Sequence, residues 1–416
     1  MNQTRRTCVL GWVACIALAA CSAGGNDTST PGTGGNGSTG GSAGSDASVP
    51  DVNEDSDDWC YSTDPHADFD GDGYTIAQGD CNDCHPNVNP GAYDFPGNGV
   101  DEDCDGKVDN EPLDCDKEFP GEGWDPVEAA RSLGLCRFPA EGATGSKRTW
   151  GVIGAKYVFA DGSEASDAPY SSGEDCTAPE GFGGLGSAPN PWSYRVAEQF
   201  GVVKPRKGAS MVILSTGIAE AGNFGDPKNG VRMCTKSPTP TGFPTPSSAA
   251  CPEVIIDYTP VAHDPIALEL KIRVPTNAKS FSFDFNFHTF EHPEYVCKRY
   301  NDFFVALLYS QHEDTPENRN ISFDKLNNPV SVNNGFLEVC KGCSLGPGEL
   351  AGTGFEGHGA TGWLRTSAAV VPGEEIVLRF AIWDMGDNVM DSTVLIDNIQ
   401  WVVDEGKGGT DRPVIW

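Results

Sequence analysis

The stretch that decides the fold, residues 281–290, reads FSFDFNFHTF and carries phenylalanine at every second position up to residue 287. Successive side chains of a β-strand point to opposite faces, so this period of two places the rings on one face. The runs at 266–274 (IALELKIRV) and 376–382 (IVLRFAI) alternate in the same way. Each run predicts a strand with one buried face and one more polar face. The phenylalanine ladder predicts core packing, with a sugar-stacking platform as the alternative.

Turns rich in glycine and proline separate these runs, a pattern typical of an antiparallel β-sandwich or jelly roll. One short helix is predicted ahead of them. Asp125 can cap it, Pro126 suits its first turn, Glu128 completes a capping box and Gly134 ends it. The predicted fold class is therefore mainly β, a β-sandwich or jelly-roll-like domain with one helix, preceded by a small loop-rich metal-binding module.

The N-terminus predicts export. Arg5 and Arg6 precede an apolar run at 8–20 that is too short to span a bilayer. Residues 18–21, Leu-Ala-Ala-Cys, resemble the lipobox of bacterial lipoproteins, which implies that Cys21 carries the lipid; an ordinary secretory signal is the alternative. By the same resemblance, Ser22 favours the outer membrane. The chain is thus predicted to be an outer-membrane lipoprotein at the cell surface, with the membrane as a partner through its lipid anchor.

Composition divides the rest of the chain. The Ser/Gly-rich residues after Cys21 offer almost nothing to a core and predict a flexible linker. The predicted organisation is a signal peptide at 1–20, the lipidated cysteine and linker at 21–50, an acidic module at 51–118, a β-sandwich domain at 119–404 and a tail at 405–416.

The net charge of −32 argues against nucleic-acid partners, which need a basic footprint, and favours hard cations. Of the 15 cysteines, Cys8, Cys15 and Cys21 belong to the signal and the anchor, and the 12 that remain predict disulfides in an oxidising compartment. The pair predicted here is Cys115 with Cys136. A zinc site at Cys-x-x-Cys, residues 81–84 or 340–343, is the rival.

Two aspartate-rich loops mark the acidic module, DFDGDG at 68–73 and DEDCDG at 101–106. Carboxylates at alternate positions put oxygens on one side of a tight loop, and glycine allows the turn that closes them around Ca²⁺. The predicted metal ligands are Asp68, Asp70, Asp72, Asp80, Asp83, Asp101, Asp103, Asp105 and Asp109. Because the module has few apolar residues, it is predicted to be ordered only with metal bound.

Residues 68–109 resemble the MopE-type metal-binding motif. That resemblance implies a metal site, with calcium by analogy to related Asp-rich repeats and copper proposed for the namesake. A ligand set made of oxygen alone favours Ca²⁺ over copper, which prefers imidazole or thiolate. His66 and His85 keep copper as the second choice.

A second metal site is predicted where acidic residues adjoin apolar strands, because carboxylates at strand ends can converge on one Ca²⁺. Its candidate ligands are Glu291, Glu294, Asp302, Asp384, Asp387 and Asp391. Solvated loop charges are the alternative.

Residues 210–402 resemble the choice-of-anchor L domain family. The landmarks are STG (215–217), EHPEYVCKRYNDFFVALL (291–308), NPVSVNNG (328–335), GATGWL (359–364) and IWDMGDNVMDSTVLIDN (382–398). The family occurs in exported surface proteins whose means of anchoring varies. It implies a β-rich extracellular module without an established enzyme activity.

The predicted function is a calcium-binding surface lipoprotein that is not an enzyme and acts in adhesion, ligand binding or envelope scaffolding, with a glycan or a surface protein as partner. The enzyme alternative is a polysaccharide hydrolase that uses paired carboxylates such as Glu291 and Asp302. The H-x-x-E-H pattern at 288–292 does not favour a zinc protease, because a strand runs into His288 and Pro293 follows the pattern.

Overall fold

The computed structural model describes residues 64–111, 113–117, 122–164, 192–222, 233, 235–244, 251–253 and 260–413. They all belong to one compact unit within residues 50–416. The predicted signal peptide, lipidated Cys21 and linker lie outside the described residues. Among the helices that the structure describes, none is long and apolar enough to cross a bilayer.

Two antiparallel sheets form the body of the protein. With strands numbered in chain order, the first sheet runs β1 (Glu122–Gly123), β3 (Tyr194–Ala197), β4 (Met211–Ser215), β13 (Ser392–Val402), β7 (Ser280–Thr289), β11 (Leu364–Ala369) and β14 (Gly409–Asp411), with β10 (Gly359–Ala360) also on β7. The second runs β2 (Gly151–Val158), β6 (Val261–Arg273), β12 (Glu375–Asp384), β8 (Phe303–Tyr309) and β9 (Val330–Ser331), with β5 (Lys236–Pro238) also on β6. The predicted mainly β class is confirmed.

The phenylalanine ladder fills the space between the sheets. Its rings on β7 are almost completely buried. Phe283 meets Phe380 of β12 edge-on with ring centroids 4.9 Å apart, and Phe285 lies 4.8 Å from Phe304 of β8. Apolar side chains of both sheets join in one core cluster. The ladder is core packing, as predicted, because its rings contact the facing sheet rather than solvent.

The other face of β7 is the more polar one, as predicted, but it too is buried. Asp284 accepts two hydrogen bonds from Arg365, at 2.7 and 2.9 Å. His288 lies between the rings of Phe200 and Phe355, each 5.5 Å away. Segments outside the sheet cover this face, so its polar groups need partners inside the protein.

The predicted helix is confirmed as α1 (Pro126–Ser132). The Asp125 side chain accepts a hydrogen bond from the Val127 amide at 2.8 Å. Gly134 follows the helix with φ 88°, a left-handed conformation that favours glycine. Three short 3-10 helices are also present, at Ile76–Gln78, Gly145–Lys147 and Gly348–Leu350.

Disulfides replace the rival zinc sites. The predicted bond between Cys115 and Cys136 is present. Cys340 and Cys343 are bonded to each other, while Cys81 is bonded to Cys104 and Cys84 is also in a disulfide. The rival prediction of zinc at either Cys-x-x-Cys pair is therefore wrong, because an oxidised cysteine offers no thiolate to a metal. A further bond joins Cys251 and Cys297.

The acidic module packs against the sandwich. The Tyr93 ring lies 5.3 Å from that of Trp150 inside the main core. Its backbone exchanges two hydrogen bonds with the Asn277 side chain, at 2.9 and 2.8 Å. The Thr276 amide donates to the Gly91 carbonyl at 3.0 Å. The module thus shares the apolar core of its neighbour, a source of order that its own composition did not predict.

Candidate metal centre

Hydrogen bonds from the backbone fold the first Asp loop, residues 68–73, back on itself. The Asp68 carboxylate accepts from the amides of Gly71 and Gly73, at 2.7 and 3.0 Å. Asp70 accepts from the Asp72 amide at 3.1 Å. Both glycines have positive φ, 78° and 94°, which a side chain would strain. As a result, Asp68, Asp70 and Asp72 bring carboxylate oxygens within 4.8 Å of one another.

A second chain segment closes on the same loop. Oxygens of Asp70, Asp80 and Asp83 also lie within 4.8 Å of one another. The short helix Ile76–Gln78 and Gly79, with φ 98°, turn the chain back between the two segments. The Asp83 carboxylate accepts from the Phe69 amide at 3.0 Å. Asp70 is therefore the residue that both groups share.

Several oxygens of this centre are buried without a hydrogen bond of ordinary geometry, although the His85 amide lies near Asp70 and the Asn89 side chain lies near Asp72. These oxygens are the Oδ2 atoms of Asp70, Asp72 and Asp80, whose Oδ1 atoms accept from backbone amides. A buried carboxylate oxygen with no donor is costly, and a cation would satisfy all three. The turns thus use one oxygen of each carboxylate and leave the other for a ligand.

The protonation behaviour of the centre agrees with this geometry. Burial, together with the charges of Asp70 and Asp80, raises the pKa of Asp72 to about 7. Burial raises the pKa of Asp80 to about 6, with added repulsion from Asp70 and Asp83. Carboxylates crowded in this way either take up protons or bind a cation.

The donor set fits a hard divalent cation. Oxygens that bind Ca²⁺ at about 2.3–2.6 Å lie within about 5 Å of one another, which is the spacing of the Asp groups. Neither His66 nor His85 is in a convergent group of three among the described residues. The Nδ1 atom of His85 is nevertheless buried without a partner.

The second Asp loop, residues 101–106, has the same fold but a different charge balance. Asp101, Asp103 and Asp105 converge within 4.8 Å. However, Asp103 forms an ion pair with Arg137, which also contacts Glu111 at 2.6 Å. The guanidinium therefore neutralises part of this loop, whereas no Lys or Arg ion pair is observed on Asp68, Asp70, Asp72 or Asp80 in the part of the chain that the structure describes.

One predicted ligand of the module lies apart from these groups. Asp109 accepts hydrogen bonds from the amides of Gly97, Asn98 and Gly99 with a single oxygen, at 2.8–3.1 Å. It holds a turn and is not part of any convergent group found among the described residues. The other eight predicted aspartates fall in the three groups above.

The predicted residues of the second site are gathered only in part. Glu291, Asp302, Asp384 and Asp391 are buried at one end of the sandwich, whereas Glu294 is exposed and Asp387 is half-buried. Asp264, which sequence reasoning missed, joins them as a charge that acts on Asp384. The sequence feature that could have identified Asp264 is an Asp-Pro pair inside an apolar strand. In the structure Asp264 adopts a φ of 46°.

Comparisons with known proteins agree with both resemblances. Residues 209–400 match the family model "Choice-of-anchor L domain", and residues 80–110 match the model "Putative metal-binding motif". No curated protein matches the chain. Among solved structures, TmCBM61 in complex with beta-1,4-galactotriose is similar at 10% identity over 50% of this chain and 81% of that chain, with a TM-score of 0.19.

Proposed function

We propose that this protein is a calcium-binding surface lipoprotein, in which the first Asp loop and the segment 80–83 hold Ca²⁺ and a β-sandwich serves as a non-catalytic binding or scaffolding domain. The observation that carries the calcium assignment is the set of buried, unpartnered Oδ2 atoms of Asp70, Asp72 and Asp80. The metal-binding motif model covers residues 80–110, which include Asp80 and Asp83 but not the first Asp loop, and it supports a metal in this module. The choice-of-anchor match supports a surface-associated protein.

The residues would act by joining two segments of the module. Asp68, Asp70 and Asp72 come from one loop, and Asp80 and Asp83 come from the next. The positive charge of Ca²⁺ would offset the repulsion between them, and the turns already hold the carboxylates in place. Metal binding and local order of the module are therefore linked.

That local order would be transmitted to the sandwich. The Tyr93 ring packs against Trp150 and its amide donates a hydrogen bond to the Asn277 side chain, so the module is attached to the domain through the core. In this proposal, Cys21 carries the lipid, the linker gives reach, and the calcium-loaded module orients the sandwich at the cell surface. A glycan or a surface protein is the proposed partner of the sandwich.

Copper is the second candidate. The unpartnered Nδ1 of His85 favours it, since imidazole is a preferred copper ligand. The hydrolase alternative has weaker support. Asp302 donates its amide to the Glu291 carboxylate at 3.5 Å and both side chains are buried, whereas glycoside hydrolysis needs two carboxyls across an open cleft.

Calorimetric titration of the mature chain tests the assignment. We expect Ca²⁺ binding to be lost from this centre in the double variant Asp70→Asn/Asp80→Asn. The control Asp114→Asn removes one charge from an exposed aspartate outside the groups and should bind as the parent does. Unchanged calcium binding in the double variant would overturn the proposal. Copper binding that survives in the double variant but is lost in His85→Ala would favour copper.

A further inference from the structure

The buried acidic cluster at one end of the sandwich joins both sheets. Asp384 is the last residue of β12, and Asp302 directly precedes β8. The register pairs Trp383 with Phe303, so these two aspartates lie at adjoining strand ends of the second sheet. Asp391 directly precedes β13 of the first sheet. The topology therefore brings three carboxylates from distant parts of the chain to one place.

Asp302 forms hydrogen bonds that connect the two sheets. One of its oxygens accepts from the Met385 amide at 3.2 Å. The other accepts from the Ser392 hydroxyl at 2.7 Å. Both donors are neutral, so the Asp302 charge is held in place but not balanced by them.

The environment of Asp384 is the observation that indicates a bound ligand. Asp384 is 2% exposed, and neither of its carboxylate oxygens accepts a hydrogen bond of ordinary geometry, although the Thr216 hydroxyl and the Asp302 carboxyl lie close to its side chain. The charges that act on it most strongly are those of Asp302, Asp391 and Asp264, and with burial they hold its pKa well above the ordinary range. A buried carboxylate that has no strong donor and lies among other carboxylates needs a proton or a cation to be stable.

The Asp391 carboxylate also lies close to the backbone at Gly217. A Cβ atom at Gly217 would fall 2.1 Å from the Asp391 Oδ2 atom, so a larger residue there would force this carboxylate to move. Gly217 follows Thr216, whose amide donates to the Ser392 carbonyl at 3.0 Å. The segment after β4 thus lies directly against Asp391.

From this arrangement we infer that Asp302, Asp384 and Asp391 bind a second hard divalent cation, of the Ca²⁺ class, between the two sheets. These carboxylates are not among the groups whose ligand atoms lie within 4.8 Å of one another in the described residues. Hydroxyl oxygens, such as those of Thr216 and Ser392, and water would therefore complete the coordination. The site is separate from the Asp loops and would link the sheets at their ends.

Terbium luminescence of the full mature chain tests this site, because Tb³⁺ replaces Ca²⁺ and emits when a nearby indole is excited. Trp383 directly precedes Asp384 and is fully buried, so it should sensitise an ion bound there. We expect sensitised emission to persist in Asp70→Asn/Asp80→Asn and to be lost in Asp384→Asn. In Trp383→Phe the emission should fall while the number of bound Ca²⁺ ions is unchanged.

Equilibrium dialysis counts the ions directly. The number of Ca²⁺ ions per chain should fall by one in Asp384→Asn. A count unchanged by Asp384→Asn would overturn the inference and assign a shared proton to the cluster.

If Asp384→Asn does not fold, the double variant Asp70→Asn/Asp80→Asn still tests the inference. It lacks the centre at the first Asp loop but keeps the proposed site in the sandwich. Rising Ca²⁺ should raise its melting temperature if the sandwich site binds, and Gly217→Ala added to it should reduce that rise. A melting temperature that Ca²⁺ leaves unchanged in the double variant would overturn the inference.

Discussion

The guanidinium of Arg137 forms an ion pair with the Asp103 carboxylate, 34 residues earlier in the chain. The Asp103 side chain is completely buried, and Arg137 also lies over the Trp150 ring at 5.4 Å. The second Asp loop therefore receives a positive charge from the protein itself, held in place by the sandwich. The first Asp loop has carboxylates of the same spacing, and no Lys or Arg ion pair is observed on Asp68, Asp70 or Asp72 among the described residues.

Replacing Arg137 by Met should destabilise the protein by about 3–5 kcal/mol, because it leaves the buried Asp103 and Glu111 without a counter-charge. Urea unfolding with and without Ca²⁺ measures this. Saturating Ca²⁺ should restore part of the loss, since an ion can take the place of the guanidinium. Lys107→Met, which breaks an exposed pair with Asp105, should cost less than about 1 kcal/mol. An equal loss in both variants would contradict this account.

Removing the metal should loosen the module and leave the sandwich intact. With EDTA, amides at 68–83 should exchange with solvent faster, since their carboxylates would repel one another, while amides of β6, β7 and β12 should be unaffected. Ca²⁺ at several hundred times its dissociation constant should return about 3–4 kcal/mol of stability to the module. Hydrogen exchange read by mass spectrometry gives both results. Uniform protection across the chain, independent of EDTA, would speak against a metal-linked module.

The buried His288 should make the protein less stable in acid. Burial lowers its pKa to about 4, and the Asn286 backbone opposes this shift only in part. The folded state keeps it neutral while the unfolded chain takes up a proton below about pH 6.5, so its contribution to stability is present above that pH. It is lost as the pH falls from about 6.5 toward 4.

The variant His288→Leu removes the imidazole that takes up a proton on unfolding. Between pH 7.5 and 4.5 the parent should lose about 2–3 kcal/mol relative to the variant. Urea unfolding at the two values is the measurement, and His66→Leu, at an exposed histidine, should change with pH as the parent does. A pH-independent difference between parent and His288→Leu would refute the prediction.

The proposed anchor is tested at Cys21. Cys21→Ser should leave an unprocessed precursor or release the protein from the membrane fraction, because the thiol that would carry the lipid is gone. Fractionation and immunoblotting report both outcomes. Ser22→Ala leaves the thiol in place and should remain in the membrane fraction. Normal membrane retention of Cys21→Ser would exclude lipidation at this position.

Local patterns in the sequence were enough to predict the helix and three of the longest strands, β6, β7 and β12. The alternation at 281–287 depends only on the geometry of one strand, and Asp125 contacts an amide two residues away. The same holds for the Asp loops, where Asp68 bonds to Gly71 and Gly73. These interactions join residues that are close in the sequence, so they can be predicted from the sequence alone.

Contacts between distant segments were decided only by the tertiary structure. Arg137 pairs with Asp103, Asp264 acts on Asp384, and polar residues on the second face of β7 are covered by other segments. The types of two residues and their separation in the sequence do not determine how far apart they lie in the folded protein. Whether a carboxylate meets an arginine, another carboxylate or solvent depends on how the two sheets and the module pack together, and that packing sets its burial and its charge balance.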